Sequence, residues 1–168
     1  VARIRLGMVG GGEGAFIGAV HRMAARLDYH YVLVAGALSS QSDKAKRSGI
    51  AIGLVPVRSY GSYAEMFAAE AQRPDGIEAV AIVTPNASHA DIAIAALDAG
   101  VHVLCDKPLC TTLAEAERIV AAVERSGRLF AVTYNYTGYP MVREARALVA
   151  AGAIGHVRTV QVEYAQDW

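Results

Sequence analysis

Several things are scarce in this sequence, and each scarcity closes off a class of function. Net charge is absent: sixteen Lys and Arg balance sixteen Asp and Glu, for a formal charge of +0 at pH 7, and neither sign gathers in a run. Surfaces for nucleic acid or anionic lipid draw their affinity from clustered positive charge, so neither is an expected partner. Apolar runs are short. None approaches the ~20 residues that cross a bilayer, and the first, Ile4–Val9, is too short for the apolar core of a secretory signal; a cytoplasmic location is the expectation. Only two cysteines occur, Cys105 and Cys110. Without metal-ligand spacing or a histidine cluster beside them, they read as small buried thiols in a reducing compartment, and no metal is expected. Repeats, heptads and low-complexity segments are missing as well.

What is present is apolar and glycine-punctuated. Of 168 residues, 54% are hydrophobic and the mean hydropathy is +0.27, enough for one well-filled domain and the start of another. The organising stretch is Arg3-Ile4-Arg5-Leu6-Gly7-Met8-Val9-Gly10-Gly11-Gly12-Glu13-Gly14-Ala15-Phe16-Ile17-Gly18. The run Ile4–Val9 suits a strand buried on both faces. It enters a glycine-rich turn and then Ala19–Leu27, which has helical composition. Strand, glycine turn and helix are the context of a dinucleotide fingerprint: glycine accepts positive φ, admits backbone close to a pyrophosphate, and the helix start offers free N–H groups. Gly10 and Gly12 supply the first two glycines. Ala15 fits the third position; alternatively Gly18 is third, with Glu13–Ile17 forming a longer turn. Gly10, Gly12, Ala15, Phe16 and Ile17 are therefore candidate cofactor-binding residues.

Tyr31–Leu38 is the second strand candidate and ends at Ser39-Ser40. Folds that prefer NAD place an acidic residue at this strand end to receive the ribose hydroxyls. Here Ser39 and Ser40 stand there, followed by Lys44, Lys46 and Arg47. A missing acid removes repulsion against a 2′-phosphate, and cations nearby can pair with it, so the balance leans to NADP over NAD. The same cations suit a solvated helix face equally. Further strands are expected at Ile77–Val83, Val101–Leu104 and Leu129–Thr133. Helices are expected from Ser62 through Ala71, Ala90–Ala99 closed by Gly100, Thr112 to about Ser126, and about Met141–Ala151 ending at Gly152. The tail His156–Tyr164 alternates, which suggests a strand of a different sheet with one wet face.

Strands alternating with helices imply an α/β fold with a doubly wound parallel sheet and right-handed crossovers. Ligands on such sheets bind beyond the carboxyl ends of the strands. That rule gathers the glycine turn, Ser39-Ser40, Thr84–His89 and Cys105–Pro108 on one edge.

The segments Met8-Val9-Gly10-Gly11-Gly12, Val83-Thr84-Pro85-Asn86-Ala87-Ser88-His89 and Asp106-Lys107-Pro108 together resemble the Gfo/Idh/MocA family of oxidoreductases, over nearly the whole chain and in the family's motif order. The resemblance implies a Rossmann-type NAD(P)-binding domain over 1–152. Residues 153–168 would then open a second α/β domain that binds substrate and builds the oligomer, with Gly152-Ala153-Ile154-Gly155 resembling the entry to it. It implies hydride transfer between NAD(P) and a hydroxyl-bearing carbon of a sugar, inositol or related polyol, by a homo-oligomer when full length. Lys107 takes the place of the family's proton-transferring lysine. A lysine beside an oxidised nicotinamide has a second positive charge near it, which favours the neutral amine. Thr84, Pro85 and Asn86 resemble the segment lining the nicotinamide ribose. His89 resembles the helix-start histidine nearby, though a structural cap fits it equally; Asp106, Pro108 and Asn135 complete the implied cofactor contacts. Asp106 stands where glutamate is commoner, and Tyr136-Thr137 where an arginine often follows. Tyr134, Tyr136 and Tyr139 are equally well read as packing residues, and Asp167-Trp168 resembles a substrate-side loop. The downstream acid–base histidine of the family has no counterpart here, so the fragment is expected to bind dinucleotide but to turn over poorly alone. Two rival readings stay open: a cofactor-retaining member that oxidises and re-reduces its substrate, and a dinucleotide sensor without chemistry.

Overall fold

The computed structural model describes residues 2–166. Five strands, β1 (Ile4–Gly10), β2 (Tyr31–Ala37), β3 (Ala79–Val83), β4 (His102–Cys105) and β5 (Phe130–Val132), form one sheet in the order β2-β1-β3-β4-β5. Every pairing is parallel. The chain therefore adopts the expected Rossmann-like α/β fold. Helices α1 (Phe16–Leu27), α2 (Ser42–Ala51), α3 (Tyr63–Glu70), α4 (His89–Asp98), α5 (Leu113–Ser126) and α6 (Pro140–Ala150) follow the strands.

The central strands have the composition of a doubly covered sheet. All five residues of β3 are buried, and Met8, Ile82 and Val80 are fully enclosed. Burying each such side chain contributes about 1.5–3 kcal/mol. One face packs Phe67, Ile92, Ala93, Ala96, Leu97 and Ala122 against the sheet; the small alanines of α4 let that helix sit close. A smaller cluster on Leu6, Met8, Ala79, Ala81 and Val83 takes Ile17 and Ala25 of α1.

Helix ends follow their sequence signals. Thr112 and Glu115 form a full reciprocal capping box at α5, and Gly127 ends it in the left-handed region at φ 64°. Ser62 caps α3 through the Glu65 N–H, while the Glu65 carboxylate accepts from Gly61 N–H at 2.9 Å.

A sixth strand is reduced to a single parallel bridge between Gly36 and Ser59, supported by Tyr60 N–H donating to Gly36 O at 2.8 Å. Beneath it lies a buried ionic knot. Glu70, 2% exposed, accepts from Arg58 Nε at 3.0 Å and Nη2, from Tyr60 Oη at 2.8 Å and from Ile77 N–H at 3.1 Å. Arg58 also reaches Asp75 O at 3.1 Å.

Contacts divide the chain into two compact units, Val1–Thr133 and Tyr134–Trp168. The first holds the sheet. The second holds α6 and a short 3-10 turn, Asn135–Gly138, with Tyr136 edge-on to Tyr139. The tail departs from expectation: residues 156–166 are exposed and form no strand. Alternation makes a segment suited to a ladder, but the ladder itself needs a neighbouring strand to take up its N–H and C=O groups, and none pairs with it among the described residues.

Candidate functional site

The glycine turn is built by contacts that exclude side chains. Gly10 and Gly11 have φ of 82° and 72°, a region that L side chains avoid. A Cβ on Gly12 would stand 2.5 Å from Leu38 O, and one on Gly18 would stand 2.4 Å from both Cα and O of Gly11. The turn is thus pressed between the β2 end and the start of α1. The close helix–strand approach that a third small residue provides is made by Gly18. Ala15 instead caps α1, its N–H donating to Gly12 O at 3.0 Å. Phe16 and Ile17 are not turn residues but the first two of the helix, and Phe16 is 82% exposed. A helix start of this kind leaves N–H groups directed at the glycine edge, which suits an anion.

Two side chains brace the turn without any signal of it in the sequence. Arg22, two turns along α1, donates from Nη1 to Gly11 O at 2.8 Å; burial and the neighbouring Arg26 lower its pKa from the usual arginine value. Ser48 of α2 is buried, and its hydroxyl accepts from Glu13 N–H at 3.1 Å.

At the β2 end, Ser39 Oγ accepts from Gln41 N–H at 3.1 Å, leading into α2. Ser40 is exposed and Lys44 half-buried in the first turn of that helix. No acidic side chain follows β2 before Asp43.

Beyond β3, Pro85 precedes a 3-10 turn, Asn86–Ser88, that runs into α4. Pro85 and Asn86 are exposed and Thr84 half-buried. The Ser88 hydroxyl lies 2.9 Å from that of Thr84 and donates to Pro85 O at 2.8 Å. His89 is wholly buried. Its Nε2 lies 2.9 Å from Thr84 O and its Nδ1 lies 2.8 Å from Pro108 O. The ring therefore joins the turn after β3 to the loop after β4.

In that loop the Lys107–Pro108 peptide is cis, and both residues are exposed at the strand edge. Asp106 is turned back to the protein: its Oδ1 accepts from Thr133 Oγ1 at 2.9 Å and lies 3.7 Å from His21 Nε2 of α1. Its carboxylate ties together β4, β5 and α1. Asn135 belongs to the second unit, where its Nδ2 donates to Tyr139 Oη at 3.4 Å. Asp167 and Trp168 lie outside the described residues. Cys105 is buried at the end of β4, where burial first, and Asp106 and Cys110 second, push its thiol up to about 12. Among the described residues no group of three or more His, Cys, Asp or Glu is placed to hold a metal ion, and no helix is long and apolar enough to cross a membrane.

Gly10, Gly12, Thr84, Lys107 and the Ser39-Ser40 corner thus stand at or just beyond the carboxyl ends of parallel strands of the sheet, around β1, where strand order reverses. That crevice is where open α/β sheets bind ligands.

Residues 4–134 match the Gfo/Idh/MocA oxidoreductase family, NAD-binding Rossmann fold. An uncharacterized oxidoreductase, YfiI of Bacillus subtilis, is 43% identical over 162 residues, covering 96% of this chain and 41% of that protein. D-xylose 1-dehydrogenase (NADP(+)) 2 of Haloferax volcanii is 36% identical over 117 residues, 70% of this chain and 34% of its own. Among solved structures, an oxidoreductase from Sinorhizobium meliloti superposes with a TM-score of 0.90 at 58% identity, covering 94% of this chain and 44% of that one. An inositol dehydrogenase homolog from Azotobacter vinelandii, complexed with NADH and myo-inositol, gives 0.90 at 44% identity, covering 94% and 42%. The match covers between about a third and just over two fifths of the length of these relatives. With that match over most of its length, the chain belongs to the Gfo/Idh/MocA oxidoreductase family, of which it carries the NAD-binding Rossmann fold.

Proposed function

We propose that this chain is the cofactor-binding part of an NAD(P)-dependent dehydrogenase acting on a hydroxyl-bearing carbon of a sugar, inositol or related polyol. The observation that carries the reading is the single strand edge shared by the glycine turn and the Lys107 loop. The residues present fit a dinucleotide: Gly10, Gly11 and Gly12 leave a cradle that any Cβ would fill. Backbone N–H groups at the start of α1 would hold the pyrophosphate, the Ser39–Lys44 corner the adenosine ribose, and Thr84–Asn86 the nicotinamide ribose. When bound, the cofactor supplies a hydride acceptor or donor. Lys107, exposed on its loop, would take the proton from a substrate hydroxyl as its carbon is oxidised. Asp106 acts behind it, fixing the loop to β5 and α1 rather than facing outward.

The corner after β2 supports NADP over NAD. Relatives with each cofactor in their names or structures exist, so the preference rests on Ser39, Ser40 and Lys44. The same reading makes 153–168 the entry to a second domain supplying substrate contacts and the subunit interface of a cytoplasmic homo-oligomer.

Titration calorimetry with NADP and NAD in parallel tests the cofactor assignment; tighter NAD binding overturns the NADP preference, and binding of neither overturns the dinucleotide reading. Lys107→Ala tests the chemistry. It is expected to reduce polyol-dependent NAD(P) reduction at least about a hundredfold while cofactor affinity holds; undiminished turnover removes Lys107 from its role.

A further inference from the structure

His89 is wholly enclosed, and each of its ring nitrogens sits within hydrogen-bond distance of a backbone carbonyl oxygen, Thr84 O at 2.9 Å and Pro108 O at 2.8 Å. A carbonyl oxygen only accepts. A neutral imidazole carries one N–H and one lone pair; in either tautomer it would donate to one carbonyl and aim its lone pair at the other oxygen across a gap that has room only for a proton. That contact is repulsive, and in a site closed to water nothing else relieves it. The doubly protonated ring has a donor for each acceptor, and both bonds are then charge-assisted.

Asp91 and Asp106, on the two segments that the ring joins, are otherwise engaged. Asp91, on the same helix, accepts from Arg118 Nη2 at 2.9 Å, and the Asp106 carboxylate accepts from Thr133. The Cys105 thiol of β4 is held protonated by burial. The two carbonyl dipoles are accordingly the groups that the ring's nitrogens meet.

We propose that His89 is a doubly protonated clasp, a positioning residue that holds the Lys107 loop against the Thr84–Ser88 turn by donating from both ring nitrogens. Pro108 directly follows Lys107, so fixing Pro108 O fixes where the lysine's backbone starts. Thr84 directly follows β3, so its carbonyl is anchored by the most buried strand of the sheet. The clasp refers the exposed loop of one motif to the buried strand end of the other. Its kinetic consequence rests on the reading of Lys107 as the proton-transferring group; its protonation state does not.

The experiment reads the two separately. A long-range 1H–15N correlation spectrum of the His89 ring in the wild-type protein near neutral pH is expected to show a proton on both nitrogens. One protonated and one bare nitrogen overturns the clasp. In the full-length enzyme His89→Gln, whose single amide nitrogen cannot span both carbonyls, is expected to lower kcat roughly tenfold to a hundredfold, as an ångström-scale displacement of a reacting group does. NAD(P) affinity, set mainly by the glycine turn, is expected to change less than about threefold (under ~0.7 kcal/mol). An unchanged kcat overturns the positioning role. If the variant does not fold, the wild-type spectrum still decides. If Lys107→Ala keeps its turnover while the ring is doubly protonated, the functional reading fails and the clasp stands.

Discussion

Replacing Gly18 by alanine tests the glycine turn at its tightest point. The added methyl would lie 2.4 Å from Gly11 Cα and 2.4 Å from Gly11 O, at least about 1 Å inside ordinary carbon contact. Neither atom belongs to a side chain that can swing away, and Gly11 O is also held by Arg22 at 2.8 Å. Relief has to come from lifting α1 or opening the turn. Overpacking of this kind costs about 1–3 kcal/mol, whereas alanine in place of helical glycine returns up to about 1 kcal/mol. Overpacking wins, leaving a net loss of up to about 3 kcal/mol and a fall in Tm of several degrees, at roughly 2–8 °C per kcal/mol for domains of this order of size. Affinity is hit harder, because the displaced groups are the cradle itself: NAD(P) binding is expected to weaken more than about tenfold (~1.4 kcal/mol). Thermal unfolding and calorimetric titration measure the two effects. Ala15→Val is the comparison. Ala15 is exposed with an extended backbone (φ −96°, ψ 123°), so valine there is expected to leave affinity within about threefold. A more stable Gly18→Ala with undiminished binding refutes the tight approach; greater damage from Ala15→Val returns the third fingerprint position to Ala15.

Other consequences can be checked in the same way. Glu70→Ala strips four donors of their acceptor and leaves the buried Arg58 guanidinium paired only with Asp75; a loss of about 3–5 kcal/mol is expected by chemical denaturation, and a loss under about 1 kcal/mol would mean that the knot is wet. Burial and the Glu70 hydrogen bond push the Tyr60 phenol from 10.0 up to about 12. The folded state holds this proton more tightly than the unfolded chain, so the contribution is complete below the unfolded value and is lost as pH rises from 10.0 to about 12; Tyr60→Phe is expected to flatten that alkaline slope, and an unchanged slope assigns it elsewhere. Iodoacetamide near neutral pH is expected to modify half-exposed Cys110 and spare buried Cys105 until the protein unfolds; equal rates would mean that β4 opens readily.

The middle of the sheet was legible because β1 and β3 are buried on both faces. Ile77–Val83 and Tyr31–Leu38 are apolar runs bounded by turn residues, and burial leaves little choice of conformation for such runs. The Thr112–Glu115 box was legible for a local reason, since both partners lie within one turn. Arg58 and Glu70 were not: two charged residues twelve positions apart carry no local sign that they will be buried against each other. Helix α2 was equally silent, its sequence polar and its inward face made of Ala45, Ser48 and Gly49, small residues chosen for close approach rather than hydrophobicity. The tail was over-read for the opposite reason. Alternation in 156–164 specifies which side chains would share a face, but says nothing about whether a neighbouring strand is there.

His89 shows why two short motifs can be informative together when neither is alone. Read singly, it was a helix cap or a cofactor contact; in the fold its ring nitrogens go to the carbonyls of Thr84 and Pro108, one in each motif. Thr84–His89 and Asp106–Pro108 are then a single mechanical unit whose halves follow adjacent strands, β3 and β4. A histidine at the start of α4 finds a partner for its second nitrogen because the loop after β4 returns the Pro108 carbonyl to it. Asp106 repeats the arrangement on the other side of the loop, accepting from Thr133 and approaching His21. Lys107 therefore stands between two anchored neighbours, one fixed through its backbone carbonyl and one through its side chain. If Lys107 is the proton-transferring group proposed above, that arrangement holds its backbone in place while its exposed side chain reaches outward.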